Sequence, residues 1–212
     1  MNYLNVIKLT NNKLALDILP EIGGRINKLV FDKFDIFRPF QIEETKPLQP
    51  YKGGSFCLIP FSNRIKNSKF NFNELEFNLT KNDPPNAIHG HAYLGTWSVL
   101  KKTKKSVVIV YKHFANQFGW PWSYEAFQTI SLKDNNFFLE LKIINKSDNP
   151  MPFGFGIHPY FNFDGKVNLK FQAEKEWIGS PEEFPTKTKI VQNNFNYKKG
   201  SELWKKQKTI CY

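Results

Sequence analysis

Apolar side chains recur at every second position through much of the sequence, and this period restricts the fold more than any other feature. Leu14, Leu16 and Ile18 show it near the start, and it returns in residues 137–144 and 167–172. Successive side chains of a β-strand point to opposite faces, so the pattern predicts strands with one wet face, the first over Leu14–Leu19. No window of ten or more residues has a convincing period of 3.6, which predicts few and short helices.

Two further segments predict strands of other kinds. Residues 70–79 (FNFNELEFNL) place apolar side chains on both sides of Asn73 and Glu74. This spacing predicts a hairpin whose two-residue turn keeps the apolar positions on a shared face. Residues 106–111 (SVVIVY) form a continuous apolar run. Such a run predicts a strand over residues 107–112 that is buried on both faces.

Composition and length narrow the fold class. The 212 residues are 41% hydrophobic and 23% charged, and this composition excludes disordered and collagen-like chains. The 21 Phe residues favour β-strands, whose pleated surface suits aromatic side chains. Neither an internal repeat nor a low-complexity linker divides the sequence. We therefore expect one all-β domain over residues 1–212, a large antiparallel β-sandwich. Long connections at residues 40–55, 81–97 and 113–122 are the expected place for function.

The charge of the chain does not by itself indicate a nucleic-acid partner. Thirty Lys and Arg against 19 Asp and Glu give a net charge of +11. The basic residues are mostly scattered lysines, and the clusters at residues 101–105 and 198–208 are typical of solubilising strand edges. We expect no nucleic-acid and no membrane partner, while the oligomeric state stays open.

Cysteine spacing and the N-terminal sequence bear on the compartment. Cys57 and Cys211 lie far apart and in no zinc-binding pattern, so neither a disulfide framework nor a zinc site is predicted. The first residues lack the charged and apolar regions of a signal peptide, and no run approaches the ~20 apolar residues of a membrane span. We expect a cytoplasmic protein.

Asn63 and Arg64 are the first candidates for chemistry. They lie in residues 60–65 (PFSNRI), and Arg64 is the one Arg in residues 39–212. In a chain whose cations are mostly Lys, this placement indicates a need for a planar group with several donors. The alternative is that Arg64 only ties down its own loop through backbone carbonyls.

Three histidines form the second group of candidates. His89 and His91 are spaced i, i+2, so in a strand they would point the same way and could bind a metal. No third ligand is evident nearby, and we expect no metal. His158 is held before Pro159, which favours extended backbone, and aromatic residues surround it. This setting suits a proton donor beside the apolar face of a sugar, although a structural histidine is the commoner case.

An aromatic platform could complete such a site. Trp120 lies in residues 119–122 (GWPW), where a ring could stack on a sugar. Tryptophans in the loops of sandwiches are commonly part of the core instead. Both interpretations of Trp120 therefore stay open.

Four motifs together resemble the aldose 1-epimerase (galactose mutarotase-like) family, in the order and approximate spacing of that family. They are residues 60–65, residues 86–90 (NAIHG), residues 119–121 (GWP) and residues 158–161 (HPYF). Residues 23–26 (GGRI) are also similar to the family's opening strand. The motifs cover essentially the whole of the chain.

The resemblance implies a β-sandwich of the supersandwich type and a cofactor-free reaction that interconverts the α and β anomers of a free hexose. In that chemistry a base takes the proton of the anomeric hydroxyl while an acid protonates the ring oxygen. By similarity, His158 is the acid, His89 is a second histidine near the ring oxygen, and Arg64 binds substrate hydroxyls. Asn63 and Trp120 are further candidates for sugar binding.

The sequence departs from the family pattern at its C-terminal end. Family members continue for roughly another quarter, which carries an Asp and, later, a Glu that serves as the base. Ile210 stands near the expected Asp, and no position matches the Glu. The acidic residues that lie outside any matching motif are Glu174, Glu176, Glu182, Glu183 and Glu202. We therefore expect impaired mutarotase activity from these 212 residues.

Two alternatives remain beside a mutarotase. One is a non-catalytic carbohydrate-binding or vestigial domain that keeps Arg64 and the two histidines. The other is a hexose-6-phosphate 1-epimerase, which the net charge of +11 would favour weakly.

Overall fold

The computed structural model of the chain describes residues 5–39, 53–163, 165–179, 184–191, 198 and 200–203. Its contacts divide the chain into two units, Met1–Asn162 and Phe163–Tyr212. Each unit is described by itself, and a single domain over residues 1–212 stays a prediction.

The first unit is built almost entirely from strands. In chain order they are β1 (Ile7–Thr10), β2 (Leu14–Leu19), β3 (Arg25–Phe31), β4 (Phe34–Asp35), β5 (Ser55–Leu58), β6 (Arg64–Ile65), β7 (Lys69–Phe72), β8 (Leu75–Asn78), β9 (Ala87–Ile88), β10 (Ser98–Lys102), β11 (Ser106–His113), β12 (Tyr124–Lys133), β13 (Asn136–Asn145) and β14 (Gly156–Pro159). Short 3-10 turns follow β6, β9 and β11, at Lys66–Ser68, Ala92–Leu94 and Gln117–Gly119.

Two antiparallel sheets form the body of this unit. One has six strands in the order β1-β2-β3-β5-β14, with β4 paired to β3, and the other has four in the order β10-β11-β12-β13. Small two-stranded sheets join β6 to β9 and β7 to β8. The all-β antiparallel sandwich predicted from the sequence is confirmed.

Side chains from both sheets share one hydrophobic core. The alternating positions of β2 and β11 point into it, because the buried residues of each strand lie two apart. The core residues of β1, β2, β11 and β12 are Ile7, Leu9, Leu14, Leu16, Ile18, Val107, Ile109, Tyr111, Tyr124, Ala126, Ile130 and Leu132. A buried polar contact also crosses the sandwich, since the Gln128 side chain donates to the carbonyl of Gly24 at 3.2 Å.

The predicted strands agree with the structure to different degrees. Leu14–Leu19 is β2, and residues 70–79 form the β7–β8 hairpin with Asn73 and Glu74 at positive φ in its turn. Leu75 shares the apolar face but is 62% exposed near the tip, where the core no longer covers the hairpin. The sequence predicts that β11 is buried on both faces, and this holds in part. On the face opposite its core positions Val110 is buried, but Val108 is only half-buried.

The second unit contains two small antiparallel sheets. Strand β15 (Val167–Leu169) pairs with β18 (Ser201–Leu203), and β16 (Lys175–Gly179) pairs with β17 (Pro185–Ile190). The strand predicted over residues 167–172 therefore ends at Leu169, since β18 offers only three partners. Most of the basic cluster at residues 198–208, together with Glu182, Glu183, Ile210 and Cys211, lies outside the described residues.

No helix in the described ranges combines the length and apolarity that a membrane-spanning helix requires. The cytoplasmic location stays a prediction.

Candidate active site

His158 lies on an aromatic wall built by two paired strands. The register of β14 against β5 places His158 opposite Phe56. The rings of His158 and Phe56 stack with centroids 5.1 Å apart and planes at 14° to each other. The ring of Tyr160, two residues after His158, also stacks on the His158 ring, with centroids 4.9 Å apart. Because side chains directly opposite in an antiparallel pair share a face, the sheet itself orients the imidazole.

A tight turn after β9 positions His89. His89 and Gly90 both adopt left-handed backbone, with φ of 59° and 67°. A Cβ at Gly90 would overlap the carbonyl oxygen of Ile59, so only glycine fits against that backbone. The turn directs His89 toward His158, and the two rings meet edge to face with centroids 5.5 Å apart.

Arg64 and Asn63 lie beside this turn because β6 pairs with β9. The register sets Arg64 opposite Ile88, the residue before His89. Asn63 donates its backbone N–H to Nδ1 of His89 at 3.2 Å and accepts the backbone N–H of His89 at 3.0 Å. The Asn63 side chain accepts the backbone N–H of Arg64 at 2.8 Å. Asn63 thus connects the arginine to the histidine.

Asp83 orients the Arg64 guanidinium. Nε of Arg64 donates to a carboxylate oxygen of Asp83 at 2.8 Å, and both side chains are partly exposed. The sequence interpretation missed Asp83, although it opens the loop that ends at His89. An acidic residue near the one Arg of residues 39–212 is the signal that could have indicated it.

The electrostatics keep both facing histidines neutral at pH 7. Burial, and then the charges of His158 and Arg64, lower the pKa of His89 to about 4, while Asp83 opposes the shift. Burial also lowers the pKa of His158; its backbone hydrogen bond raises that pKa and the charge of Arg25 lowers it. Since Nδ1 of His89 accepts an N–H, the proton of its neutral ring resides on Nε2.

A buried arginine supports the aromatic wall from behind, and sequence reasoning missed it as well. Arg25 has no exposed surface, and its guanidinium lies over the Phe56 ring at 4.5 Å from the centroid. Its Nη1 donates to the carbonyl of Gly53. Burial lowers its pKa to about 10, so it stays charged at pH 7. It therefore places a positive charge beneath the Phe56–His158 stack.

The sequence profile of the aldose 1-epimerase family matches residues 5–210, nearly the whole chain. The chain belongs to the aldose 1-epimerase family. Among its relatives is YphB of Escherichia coli K12, which is 27% identical over 177 residues, covering 82% of this chain and 58% of YphB. The chain thus spans little more than half the length of that relative.

Solved structures with this fold agree with the family assignment. The GalM/aldose epimerase homologue of Caenorhabditis elegans superposes with a TM-score of 0.81 at 23% identity, covering 94% of this chain and 66% of the other. Galactose 1-epimerase of Lactobacillus acidophilus gives 0.77 at 19% identity, covering 93% of this chain and 62% of the other. These likenesses show that the chain has the aldose 1-epimerase fold.

The i, i+2 histidines of this aldose 1-epimerase family member do not point the same way. The left-handed turn at His89 and Gly90 replaces the strand that the spacing assumed, and it turns His91 into the interior. His91 is 4% exposed, lies 4.3 Å from the ring of His113, and shares a 2.8 Å hydrogen bond with the Tyr124 hydroxyl. Among the described residues, no group of three or more His, Cys, Asp or Glu is placed to hold a metal ion.

Trp120 occupies the core rather than the site. Its side chain is 2% exposed, and its ring packs against Phe61, Phe70 and Trp122. The structure therefore corrects the expectation that this ring forms a platform for a sugar, because neighbouring aromatic rings already cover it. Sequence reasoning could not separate the two cases, since an aromatic loop residue fits both.

Proposed function

We propose that this chain binds a free hexose at the face formed by His89, His158 and Arg64, and supplies the acid half of anomer interconversion. The observation that carries the proposal is the edge-to-face pair of His89 and His158, two half-buried rings 5.5 Å apart on an aromatic wall. A sugar ring is apolar on its faces and polar at its rim, which such a wall with two ring donors matches.

His158 is the general acid in this proposal. Its proton passes to the ring oxygen while the bond from that oxygen to the anomeric carbon breaks, and the anomeric hydroxyl gives its proton to a base. The open aldehyde then rotates and closes on its other face. A lowered pKa makes the protonated form of His158 rarer but more acidic, so proton transfer to a weakly basic ether oxygen is easier.

His89 serves as a neutral donor rather than as a second acid. The backbone N–H of Asn63 occupies Nδ1 and therefore opposes a second proton on the ring. The Nε2 proton remains as the donor to a sugar oxygen. A neutral imidazole can polarise an oxygen in this way without transferring its proton. In this proposal His89 donates a hydrogen bond to the sugar, and His158 transfers a proton to it.

Arg64 binds sugar hydroxyls, and Asp83 orients it. The planar guanidinium presents several donors in a fixed fork, and the 2.8 Å contact of Nε with Asp83 fixes the plane of that fork. An Arg64→Lys substitution would keep the charge and lose this geometry. We expect it to weaken sugar binding.

Free hexose and polarimetry provide the test. The chain is added to freshly dissolved α-D-galactose or α-D-glucose, with buffered formate as an external base, and the rate is corrected for the same buffer without protein. We expect protein-dependent mutarotation whose rate His158→Ala lowers by about 10²–10⁴-fold. Formate is included because none of these 212 residues matches the family's base motif. Sugar binding without any turnover would favour the non-catalytic carbohydrate-binding alternative. The absence of both sugar binding and turnover would contradict the proposal.

A further inference from the structure

We infer that Asn82 is a positioning residue that holds His89 in the orientation its chemistry needs. The inference rests on the proposed function, since it assigns Asn82 to the same site. The side chain of Asn82 makes its contacts on both sides of His89, and this arrangement carries the inference.

The Asn82 amide has four hydrogen-bond partners. Its two Nδ2 hydrogens are shared among three acceptors, the carbonyl of Ile88 at 2.8 Å, the carbonyl of Gly90 at 3.0 Å and the Tyr93 hydroxyl at 3.1 Å. Its Oδ1 accepts the backbone N–H of Ile88 at 2.7 Å. One side chain therefore ties together the residues immediately before and after His89.

The backbone at His89 needs such support. A non-glycine residue rarely adopts positive φ, and His89 does so at 59° next to Gly90 at 67°. The left-handed pair turns the carbonyls of Ile88 and Gly90 toward the same donor, Nδ2 of Asn82. Without that donor both carbonyls would lose a partner, and the turn could relax to the more common negative φ.

Asn82 also links the two halves of the site. The Tyr93 ring that it contacts packs against Phe56 with centroids 5.3 Å apart, and Phe56 stacks on His158. The His89 turn and the His158 wall are thus joined through one amide and two rings. Because the amide binds the backbone on both sides of His89, Asn82 acts through His89.

No other amide residue type or carboxylate replaces this pattern. Aspartate retains an acceptor for the N–H of Ile88 but has no donor for the two carbonyls. Glutamine has the same groups one methylene further away. Asn86 is a matched control, because it is the same residue type in the same loop and its Oδ1 accepts the N–H of Asn67, at 3.0 Å, rather than that of a residue beside His89.

The test is the tautomer of His89, read from its imidazole nitrogen shifts by NMR at pH 7 in wild type, Asn82→Ala and Asn86→Ala. We expect wild type and Asn86→Ala to hold the Nε2–H form, and Asn82→Ala to become a mixture of both tautomers with a His89 pKa raised from about 4 toward 6.5. A loss of stability alone would not change the tautomer of a folded chain. If Asn82→Ala does not fold, Asn82→Asp gives the same tautomer readout with nearly the same shape.

Two results separate this inference from the proposed function. A folded Asn82 variant whose His89 keeps the pure Nε2–H form would overturn the inference. A change of tautomer in a chain whose wild type binds no hexose would uphold the positioning role and contradict the proposed function instead.

Discussion

The fold contains two pairs of histidines that differ in burial, in ring spacing and in their surroundings. The open pair, His89 and His158, is half-buried with rings 5.5 Å apart, whereas the buried pair, His91 and His113, is 4% and 2% exposed with rings 4.3 Å apart. The turn at Gly90 separates them. A histidine in a sequence motif is therefore a candidate for catalysis only where the backbone leaves its ring accessible.

The buried pair is enclosed by hydrogen-bond partners from the core. Nε2 of His91 shares a hydrogen bond with Tyr124, and Nε2 of His113 donates to the carbonyl of Trp120 at 3.2 Å. Burial lowers the pKa of both rings and raises the pKa of Tyr124. A neutral, enclosed network of this kind contributes to the stability of the sandwich and has no access to a sugar.

The largest expected effect is on catalysis by the open pair. His158→Ala should lower the protein-dependent mutarotation rate by about 10²–10⁴-fold, the usual cost of removing a positioned general acid. Polarimetry in the formate assay measures it. An equal and small loss from His158→Ala and Asn63→Ala would show that His158 is not the acid.

The turn that separates the two pairs is the next target. Gly90→Ala should destabilise the protein by roughly 3 kcal/mol, because the added Cβ meets the Ile59 carbonyl and the backbone is left-handed. Denaturant unfolding followed by tryptophan fluorescence measures the loss. Gly165→Ala is the control, since Gly165 also has positive φ but a Cβ there meets no atom of the described residues within 4 Å. Equal losses would mean that the close approach at Gly90 is unimportant.

Acid should destabilise the fold, and the buried pair should contribute most. The folded pKa is about 4 for His89 and about 2 for His91, against 6.5 in the unfolded chain. Below pH 6.5 the unfolded chain binds protons that the folded chain does not, so the free energy of unfolding falls as the pH drops toward 4. Denaturant melts at pH 7 and pH 3 measure this, because the two contributions separate only below pH 4, where His89 is protonated in the folded chain and His91 is still neutral. His91→Gln should flatten the profile more than His89→Gln, and the reverse order would contradict the assignment of the buried pair.

Tyr124→Phe should separate stability from sugar binding. The substitution leaves Nε2 of His91 without its hydroxyl partner in the interior, which costs about 1–3 kcal/mol. Hexose affinity should stay as in wild type, because Tyr124 lies in the buried network. Thermal unfolding and a sugar titration of the same sample measure both quantities. A large loss of affinity in a folded variant would place the buried pair in the site.

The smallest expected effect is that of Asn63→Ala. The Asn63 side chain accepts the backbone N–H of Arg64, while the hydrogen bonds to His89 come from the Asn63 backbone. Losing one such hydrogen bond costs about 1 kcal/mol, so affinity for hexose should fall by less than about tenfold. Isothermal calorimetry with the wild type as reference measures it, and a loss comparable to that of Arg64→Ala would indicate direct contact with the sugar.

Local pattern predicted the regular parts of this protein well. The alternation in Leu14–Leu19 and the two-residue turn at Asn73 and Glu74 follow from side-chain periodicity and turn chemistry, which act within a few residues. The motif order identified His158, His89 and Arg64, and the structure brings His89 to both of the others. Their roles stay predictions.

Long-range packing accounts for what the sequence did not reveal. The spacing of His89 and His91 assumed a strand, and only the approach of Gly90 to Ile59 shows why the chain turns there. Trp120 could be assigned to the core only once its ring neighbours were placed. The buried position of Arg25 likewise depends on Phe56, far along the chain. Such contacts have no periodic signature.

A sugar titration that observes all four histidines tests the account most directly. The chain has four His, so its imidazole NMR signals report the open pair and the buried pair in one spectrum. We predict that D-galactose or D-glucose shifts the signals of His89 and His158 in a saturable way, leaves His91 and His113 unchanged, and that galactitol, which has no ring, shifts none of them. Saturable shifts confined to His91 and His113, or none at any histidine, would contradict the account.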